Sequence, residues 1–534
     1  AAQGVEAQTV SNTYLASGNE LEILPVISLA SASRPNVVLI ICDDLNRLGS
    51  GLRSEKYISE VQTPNLDSFA ETATVFTRAY ANVSLCSPSR ASLFTGIAPH
   101  HSKFYDNTVW WKNIHLANSG TIMDAFRASG YQVLGTGKIM HHFRKREWDE
   151  FGFQVDYGPI AWDGNNRVAL DTVPEPFRSE GPIDGSFGPL HKIFENSDVS
   201  LDTQWVCRSS GITRPFKYKN QFDRDRTPDE KSAIWAKNKI DQLAKDDAVS
   251  PFFFAIGFVR PHTPLHVPSR WFELYGPDSF SLPVQRKNDR DDTYLEQQFT
   301  PSHKGFYRYQ KLISSYQTEE EGLRAWVQAY LASVSAVDEC IGVVVNALKS
   351  KDLWKNTILI VTSDHGYQLG QKEFLFKGAL WEESMRIPLL VRVPGMSDES
   401  DRVDAPVSLI DIYPTLVELC DLTVPFSNQV KRVGVSIKPL LNPGSQEKGE
   451  RIALGVMQSE VVESLDERWV NEPFLNQHWT IRTDQWRYIR YQDGSEELYD
   501  HLTDPHEWHN LAGAPSHAEK QKNLAKQLRK ALSE

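Results

Sequence analysis

Two continuous apolar runs, far apart in the chain, set the first constraint on the fold. Val37-Val38-Leu39-Ile40-Ile41-Cys42 and Thr357-Ile358-Leu359-Ile360-Val361-Thr362 do not alternate apolar with polar residues. That is the pattern of strands covered on both faces, as in parallel sheets. Such a sheet needs helices above and below it. Helical periodicity lies between the runs, over 65–73, 121–129 and 323–348, and further strands are predicted at 133–136, 252–258 and 388–393. The alternation predicts an α/β fold, a large doubly wound and mostly parallel sheet flanked by helices.

From about residue 450 the character changes. The stretches 479–491 and 496–500 read as antiparallel strands, joined through the turn Gln492-Asp493-Gly494, and 518–532 as a closing helix. The expected plan is an N-terminal extension over 1–33, a main α/β domain over 34–450, and a smaller C-terminal α+β subdomain with an antiparallel sheet over 451–534. Two stretches rich in turn formers or charge, 150–230 and 270–315, read as long excursions, which in compact domains are commonly functional.

The balance of 57 basic and 69 acidic side chains, a formal charge of −12, opposes a phosphate backbone and argues against a nucleic-acid partner. No run of 18 consecutive apolar residues occurs, so no membrane span is expected. The five cysteines lack a CxxC spacing and permit at most two disulfides. The chain opens on Ala1 without an initiator methionine, so a removed leader and a periplasmic or secreted location are expected.

Open parallel sheets bind ligands at the carboxyl ends of their strands. Both strong runs end in acids, the first in Asp43-Asp44 and the second in Ser363-Asp364-His365-Gly366. Three carboxylates and an imidazole at one sheet edge outline a metal site, suited to calcium or magnesium by its oxygens and open to zinc or manganese by its histidine.

The segment Cys86-Ser87-Pro88-Ser89-Arg90-Ala91-Ser92-Leu93-Phe94-Thr95-Gly96 resembles the signature of the formylglycine-dependent sulfatases of the alkaline phosphatase superfamily. The resemblance extends from Arg34 to about Leu511. Gly137-Lys138-Ile139-Met140-His141, Pro261-His262-Thr263-Pro264 and Phe376-Lys377-Gly378 resemble later family elements in the family's order. His365, where many relatives carry asparagine, is similar to the iduronate-2-sulfatase-like branch.

The resemblance implies an alkaline phosphatase-like fold and a sulfuric ester hydrolase. It implies that a maturation enzyme converts Cys86 to formylglycine, whose hydrate sits on a calcium ion held by Asp43, Asp44, Asp364, His365 and residue 86, with Arg90 holding residue 86 in place. One hydroxyl of the hydrate attacks sulfur, and the second later loses a proton so that sulfate is expelled. By the same resemblance Lys138 and Lys377 contact sulfate, His141 serves as base for the elimination, and His262 as acid for the leaving group.

The expected substrate is a sulfated sugar in an algal polysaccharide or glycosaminoglycan. Tyr105, Trp110, Trp111 and His142 are candidate contacts to it, since aromatic rings stack on sugars, and the charged segment near Arg286 to Arg290 is a candidate for meeting sulfates or uronates. The alternatives are a phosphate or phosphonate ester hydrolase of the same superfamily and a catalytically silent carbohydrate-binding relative.

Overall fold

The computed structural model describes residues 34–191, 204–245, 250–294, 304–397, 400–425, 430–442, 450–459 and 477–534; the expected extension 1–33 lies outside them. The main sheet has eight strands, β1 (Asn36–Cys42), β2 (Thr74–Phe76), β3 (Gln132–Gly137), β4 (Glu150–Gln154), β5 (Phe252–Phe258), β6 (Thr357–Ser363), β7 (Leu389–Arg392) and β8 (Asp401–Val403). Their spatial order is β8-β2-β7-β6-β1-β5-β3-β4. Strand β1 is central and parallel to both neighbours, with Cys42 opposite Ser363 on one side and Phe258 on the other. Strand β7 runs antiparallel to β6 and β2, so the sheet is mixed on that flank and parallel elsewhere.

The principal helices are α1 (Pro64–Ala70), α2 (Cys86–Thr95), α3 (Ile122–Ala128), α4 (Pro228–Leu243) and α5 (Glu319–Lys349). Side chains of β1 alternate between two cores, as a doubly covered strand requires. Val38, Ile40 and Cys42 pack with α1, α4 and α5, whereas Val37, Leu39 and Ile41 pack with α2 and α3. Thr121 and Thr227 start α3 and α4 through capping boxes with Asp124 and Glu230. Helix α5 is long and apolar enough to cross a bilayer, but 78% of its most apolar window is buried inside the protein, which makes it a core helix. All five cysteines are buried and free, so neither permitted disulfide forms.

The excursion over 150–230 is more regular than expected. It supplies the edge strand β4, whose half-exposed Glu-Phe-Gly-Phe-Gln pattern lacks the continuous apolar run that marks the inner strands. Strands Trp205–Ser209 and Ile212–Phe216 pair within a small separate sheet. Likewise 270–315 contains a helix, Lys304–Ser314.

The C-terminal sheet consists of β9 (Ala453–Met457), β10 (His478–Arg482), β11 (Trp486–Arg490) and β12 (Glu496–Asp500), antiparallel and in chain order. The closing helix α6 (Ala518–Ser533) covers it with Leu524, Leu528 and Leu532. A second cluster joins Ile489, Tyr491 and Tyr499 to Ala379, Leu380 and Trp381 of the main domain. Beside that cluster lies a buried ion network. Arg487 donates to Glu382, to Glu507 and to the Leu380 carbonyl at 3.0 Å, while Glu507 Oε2 accepts from Glu382 N at 2.8 Å.

Burial would raise the Glu507 carboxyl, yet Arg487 and His501 hold it down to about 2. A carboxyl depressed from about 4.3 when unfolded stabilises fully above that value and loses its contribution as pH falls through the folded one. Stability is therefore expected to decline from about pH 4.5 toward pH 2, and Glu507→Gln to flatten that decline while lowering stability at neutral pH. Denaturant unfolding across this range checks both; an unchanged acid limb in the variant would refute the assignment.

Candidate active site

The parallel pairing of β1 with β6 places Asp43-Asp44 beside Asp364-His365. Asp44 turns in a left-handed conformation, φ 64°, uncommon away from glycine. Two bonds hold the turn: Asp44 N donates to Asp364 Oδ1 at 3.1 Å, and the Tyr330 hydroxyl donates to the Asp44 carbonyl at 2.7 Å.

Cys86 is the first residue of α2 and Arg90 lies one turn on. The Arg90 guanidinium, fully buried, donates to Asp364 Oδ2 at 2.9 Å, Asp43 Oδ1 at 3.1 Å, and the carbonyls of Lys138 and Ile139 at 2.6 and 2.8 Å. Arg90 also interacts electrostatically with Cys86. Its hydrogen bonds go to the two strand ends and the β3 turn, so it fixes the acids around Cys86.

Lys138 follows Gly137, φ 80°, in a turn so close to β5 that a Cβ on Gly137 would lie 1.8 Å from the Gly257 carbonyl oxygen. This approach brings the Lys138 ammonium onto Asp43 Oδ2 and over the Tyr157 ring at 5.0 Å.

Lys377 donates to Asp44 Oδ1 and Oδ2 at 2.7 and 2.9 Å and to Cys86 Sγ at 3.3 Å. His365 Nε2 lies 3.3 Å from Cys86 Sγ and 3.3 Å from Asp44 Oδ1. His262 Nδ1 donates to the Thr263 carbonyl at 2.6 Å, leaving Nε2 at 3.9 Å from Asp44 Oδ2. Ligand atoms of Asp43, Asp44, Cys86 and His262 lie within 4.8 Å of one another, as do those of Cys86, Asp364 and His365. Oxygen-rich edges of this length suit a single hard divalent cation, which takes carboxylate oxygens at roughly 2.3–2.6 Å if it is calcium. The donor set therefore fits a metal ion.

The electrostatics are set by burial against a dense ring of charge. Burial would raise Asp43, but Lys138, His262, Arg90 and Lys377 hold its carboxyl well below the usual range. Burial and Asp43 push the Cys86 thiol up, and Lys138 and Lys377 more than reverse this. Burial and Lys377 keep His262 neutral. Burial and Lys138 bring His141 down to about 3.

His141 makes no hydrogen bond to this centre. Its buried Nδ1 has no partner among the described residues, and its ring packs 4.9 Å from that of His142. Tyr105 and His142 line a pocket of about 530 Å³, and Trp111 packs 6.2 Å from the His142 ring. Trp110 is 1% exposed and belongs to the α2 core, so the expectation that it meets substrate fails: its apolar bulk fills the space beneath α2. Arg286 donates to the Trp508 carbonyl and Arg290 pairs with Glu373.

Tyr157 went unrecognised in the sequence. Its ring lies 5.0 Å from His262 and beneath Lys138, yet no motif surrounds it.

Residues 35–422 match the family described as Sulfatase. The chain belongs to the sulfatase family. Residues 370–534 of this sulfatase also match a family described as N-sulphoglucosamine sulphohydrolase, C-terminal. It is 31% identical over 492 residues to a sulfatase of Formosa agariphila, covering 90% of this chain and 83% of that protein. It is 28% identical over 431 residues to mouse iduronate 2-sulfatase, covering 73% and 69%. A solved structure described as a complex with D-glucosamine-2-N,6-O-disulfate superposes with a TM-score of 0.64 at 21% identity, covering 94% and 98%. The phosphonate monoester hydrolase of Agrobacterium radiobacter superposes with a TM-score of 0.64 at 22% identity, covering 94% and 95%. These two likenesses establish the shared fold. As a sulfatase, the protein is a sulfuric ester hydrolase.

Proposed function

We propose that this sulfatase removes sulfate esters from sugars of a sulfated oligo- or polysaccharide, using formylglycine at position 86 and calcium. The reading rests on the Cys86 sulfur, which has Lys377 Nζ and His365 Nε2 each at 3.3 Å in a centre of three carboxylates and three cations. The substrate class is supported by an ulvan-active sulfatase of Formosa agariphila, 25% identical over 506 residues, and an N-acetylglucosamine-6-O-sulfatase of Bacteroides thetaiotaomicron, 26% identical over 539. A formylglycine-generating maturation enzyme and a periplasmic or secreted location complete the proposal.

Asp43, Asp44, Asp364 and His365 would hold calcium, which when bound supplies Lewis acidity and a lowered pKa for a nucleophilic hydroxyl. Hydrated formylglycine would supply one hydroxyl for attack at sulfur, breaking the bond to the sugar oxygen, and a second that would give its proton to His141 as the aldehyde re-forms and the C–O bond to sulfate breaks. A divalent cation held there would add positive charge beside Lys138 and Lys377, which favours an anionic ester. Lys138 and Lys377 then neutralise sulfate oxygens as charge shifts toward the leaving group.

His262 presents Nε2 to the centre because Nδ1 is spent on Thr263. Burial first and Lys377 second oppose protonation of the ring; a bound sulfate ester would offset the lysine part, and the ring would take the proton of the attacking hydroxyl and deliver it to the departing alkoxide. His262→Ala is expected to slow a sugar sulfate by about 10² to 10⁴ and an activated aryl sulfate much less, since general acids matter least for good leaving groups. Equal losses on both substrates would count against this role.

Sulfate release from defined sulfated oligosaccharides, measured by ion chromatography on enzyme whose Cys86 peptide is about 18 Da lighter than the thiol form, tests the whole reading. Chelation should abolish release and calcium restore it. Phosphonate or phosphate ester turnover without sulfate release would favour the alternative raised by the Agrobacterium radiobacter likeness.

A further inference from the structure

Beside the reaction centre lies the pocket of about 530 Å³, within the size range of small-molecule sites. Hydrogen bonds tie its loop to Ser87, the residue after Cys86: Ser87 N donates to Asn107 Oδ1 at 3.0 Å and Ser87 Oγ to the carbonyl of Thr108, a pocket residue, at 3.1 Å. On another wall, His142 directly follows His141. The remainder of a substrate whose sulfate reaches residue 86 thus has this pocket next to it.

The walls of the pocket are rich in unspent donors. Lys103 and Lys112 line it and pair with no carboxylate among the described residues. The Oδ1 atom of Asn113 accepts from His115 N at 3.0 Å and Leu116 N at 3.2 Å, which leaves the two amide hydrogens of Nδ2 for a ligand. His142 Nδ1 is buried without a partner. The one acid on the wall, Asp106, accepts at Oδ1 from the Thr108 backbone N at 3.0 Å and from its hydroxyl, so two ammonium groups face a single carboxylate and the wall stays net positive. Tyr105, packed edge-on against Trp479 at 6.2 Å, adds an aromatic surface. Ammonium and amide donors in excess of the single carboxylate favour an oxyanion, and an adjoining ring favours a sugar.

We infer that the pocket of Lys103, Tyr105, Lys112, Asn113 and His142 is a second oxyanion site, which takes a uronate carboxylate or a further sulfate of the sugar chain whose ester is cleaved. This rests on the sulfated-sugar reading above. It makes the enzyme selective for polyanionic sugars over singly sulfated ones, with Lys103 and Lys112 as the selecting charges.

The test pairs turnover with binding. Wild type and the double variant Lys103→Ala/Lys112→Ala are assayed on an aryl sulfate, a sulfated disaccharide bearing a uronate, its carboxyl-reduced counterpart, and a disulfated disaccharide without uronate. KM is expected to rise about tenfold or more for substrates with a second anion, with kcat within about twofold, and to stay unchanged for the others, since about 1.4 kcal/mol is a factor of ten. Loss only with the uronate, or only with the second sulfate, names which oxyanion is taken. Equal changes on all four substrates, or none, would overturn the proposal.

Calorimetric binding of the same disaccharides to Cys86→Ala, with and without the lysine changes, reads the pocket in the absence of turnover. Lysine-dependent binding of the second anion there upholds the subsite even if no sugar sulfate is cleaved, an outcome that would condemn the sulfated-sugar reading instead. Binding indifferent to the lysines condemns the subsite alone.

Discussion

Alanine at position 86 is expected to leave a folded protein that releases sulfate at least about 10⁴-fold more slowly than the matured enzyme, since covalent catalysis is lost outright and residual binding cannot replace it. The fold should survive because Cys86 heads a helix whose remaining packing, through Ala91, Leu93 and Phe94, does not involve the thiol. Cys86→Ser separates two parts of the chemistry. Its hydroxyl can attack, but a single oxygen cannot collapse to an aldehyde, so any product should stop near one equivalent per enzyme. Initial rates, a burst measurement and a cooperative unfolding curve check the three statements. Sustained turnover by either variant would remove residue 86 from the nucleophile role.

Arg90→Met is expected to cost about 3–5 kcal/mol of stability, the range for a buried pair that loses one partner, and to abolish activity. Asp43 and Asp364, both fully buried, would then face each other without the guanidinium that bonds to them at 3.1 and 2.9 Å. Lysine should not rescue, because one ammonium cannot reproduce a fork that also serves the Lys138 and Ile139 carbonyls. Adding Asp364→Asn to Arg90→Met should recover part of the stability by neutralising one stranded charge, while activity stays absent. Denaturant unfolding of the two single variants and the double closes that cycle. Additive losses would show that Arg90 acts elsewhere.

The sheet edge was legible in the sequence because the strands that build it are doubly covered and so carry continuous apolar runs, which place Asp43, Asp44, Asp364 and His365 at strand ends without ambiguity. Residue 86 was legible through a motif. What escaped depends on contacts between distant segments. Strand β4 lies at the sheet edge with no residue fully buried and shows mixed polarity; Tyr157 acquires meaning only when β5 delivers His262 beside it. Trp110 illustrates the converse error, since an aromatic near a motif looks the same in sequence whether it faces a ligand or fills a core. Arg90 was recognised, but its partners were not, because a guanidinium's hydrogen bonds are decided by which backbone carbonyls the folded chain brings within reach.

The loop that carries Lys377 is anchored by the end of the chain: Arg487 grips the Leu380 carbonyl, Glu507 the Glu382 amide, and Glu497 the Trp381 indole at 2.9 Å. During synthesis, one of the two ammonium groups proposed to meet the ester therefore gains its mooring only once strands β11 and β12 have emerged, hundreds of residues after the signature helix. A prematurely ended chain would retain every recognisable motif and still lack the anchors of the Lys377 loop.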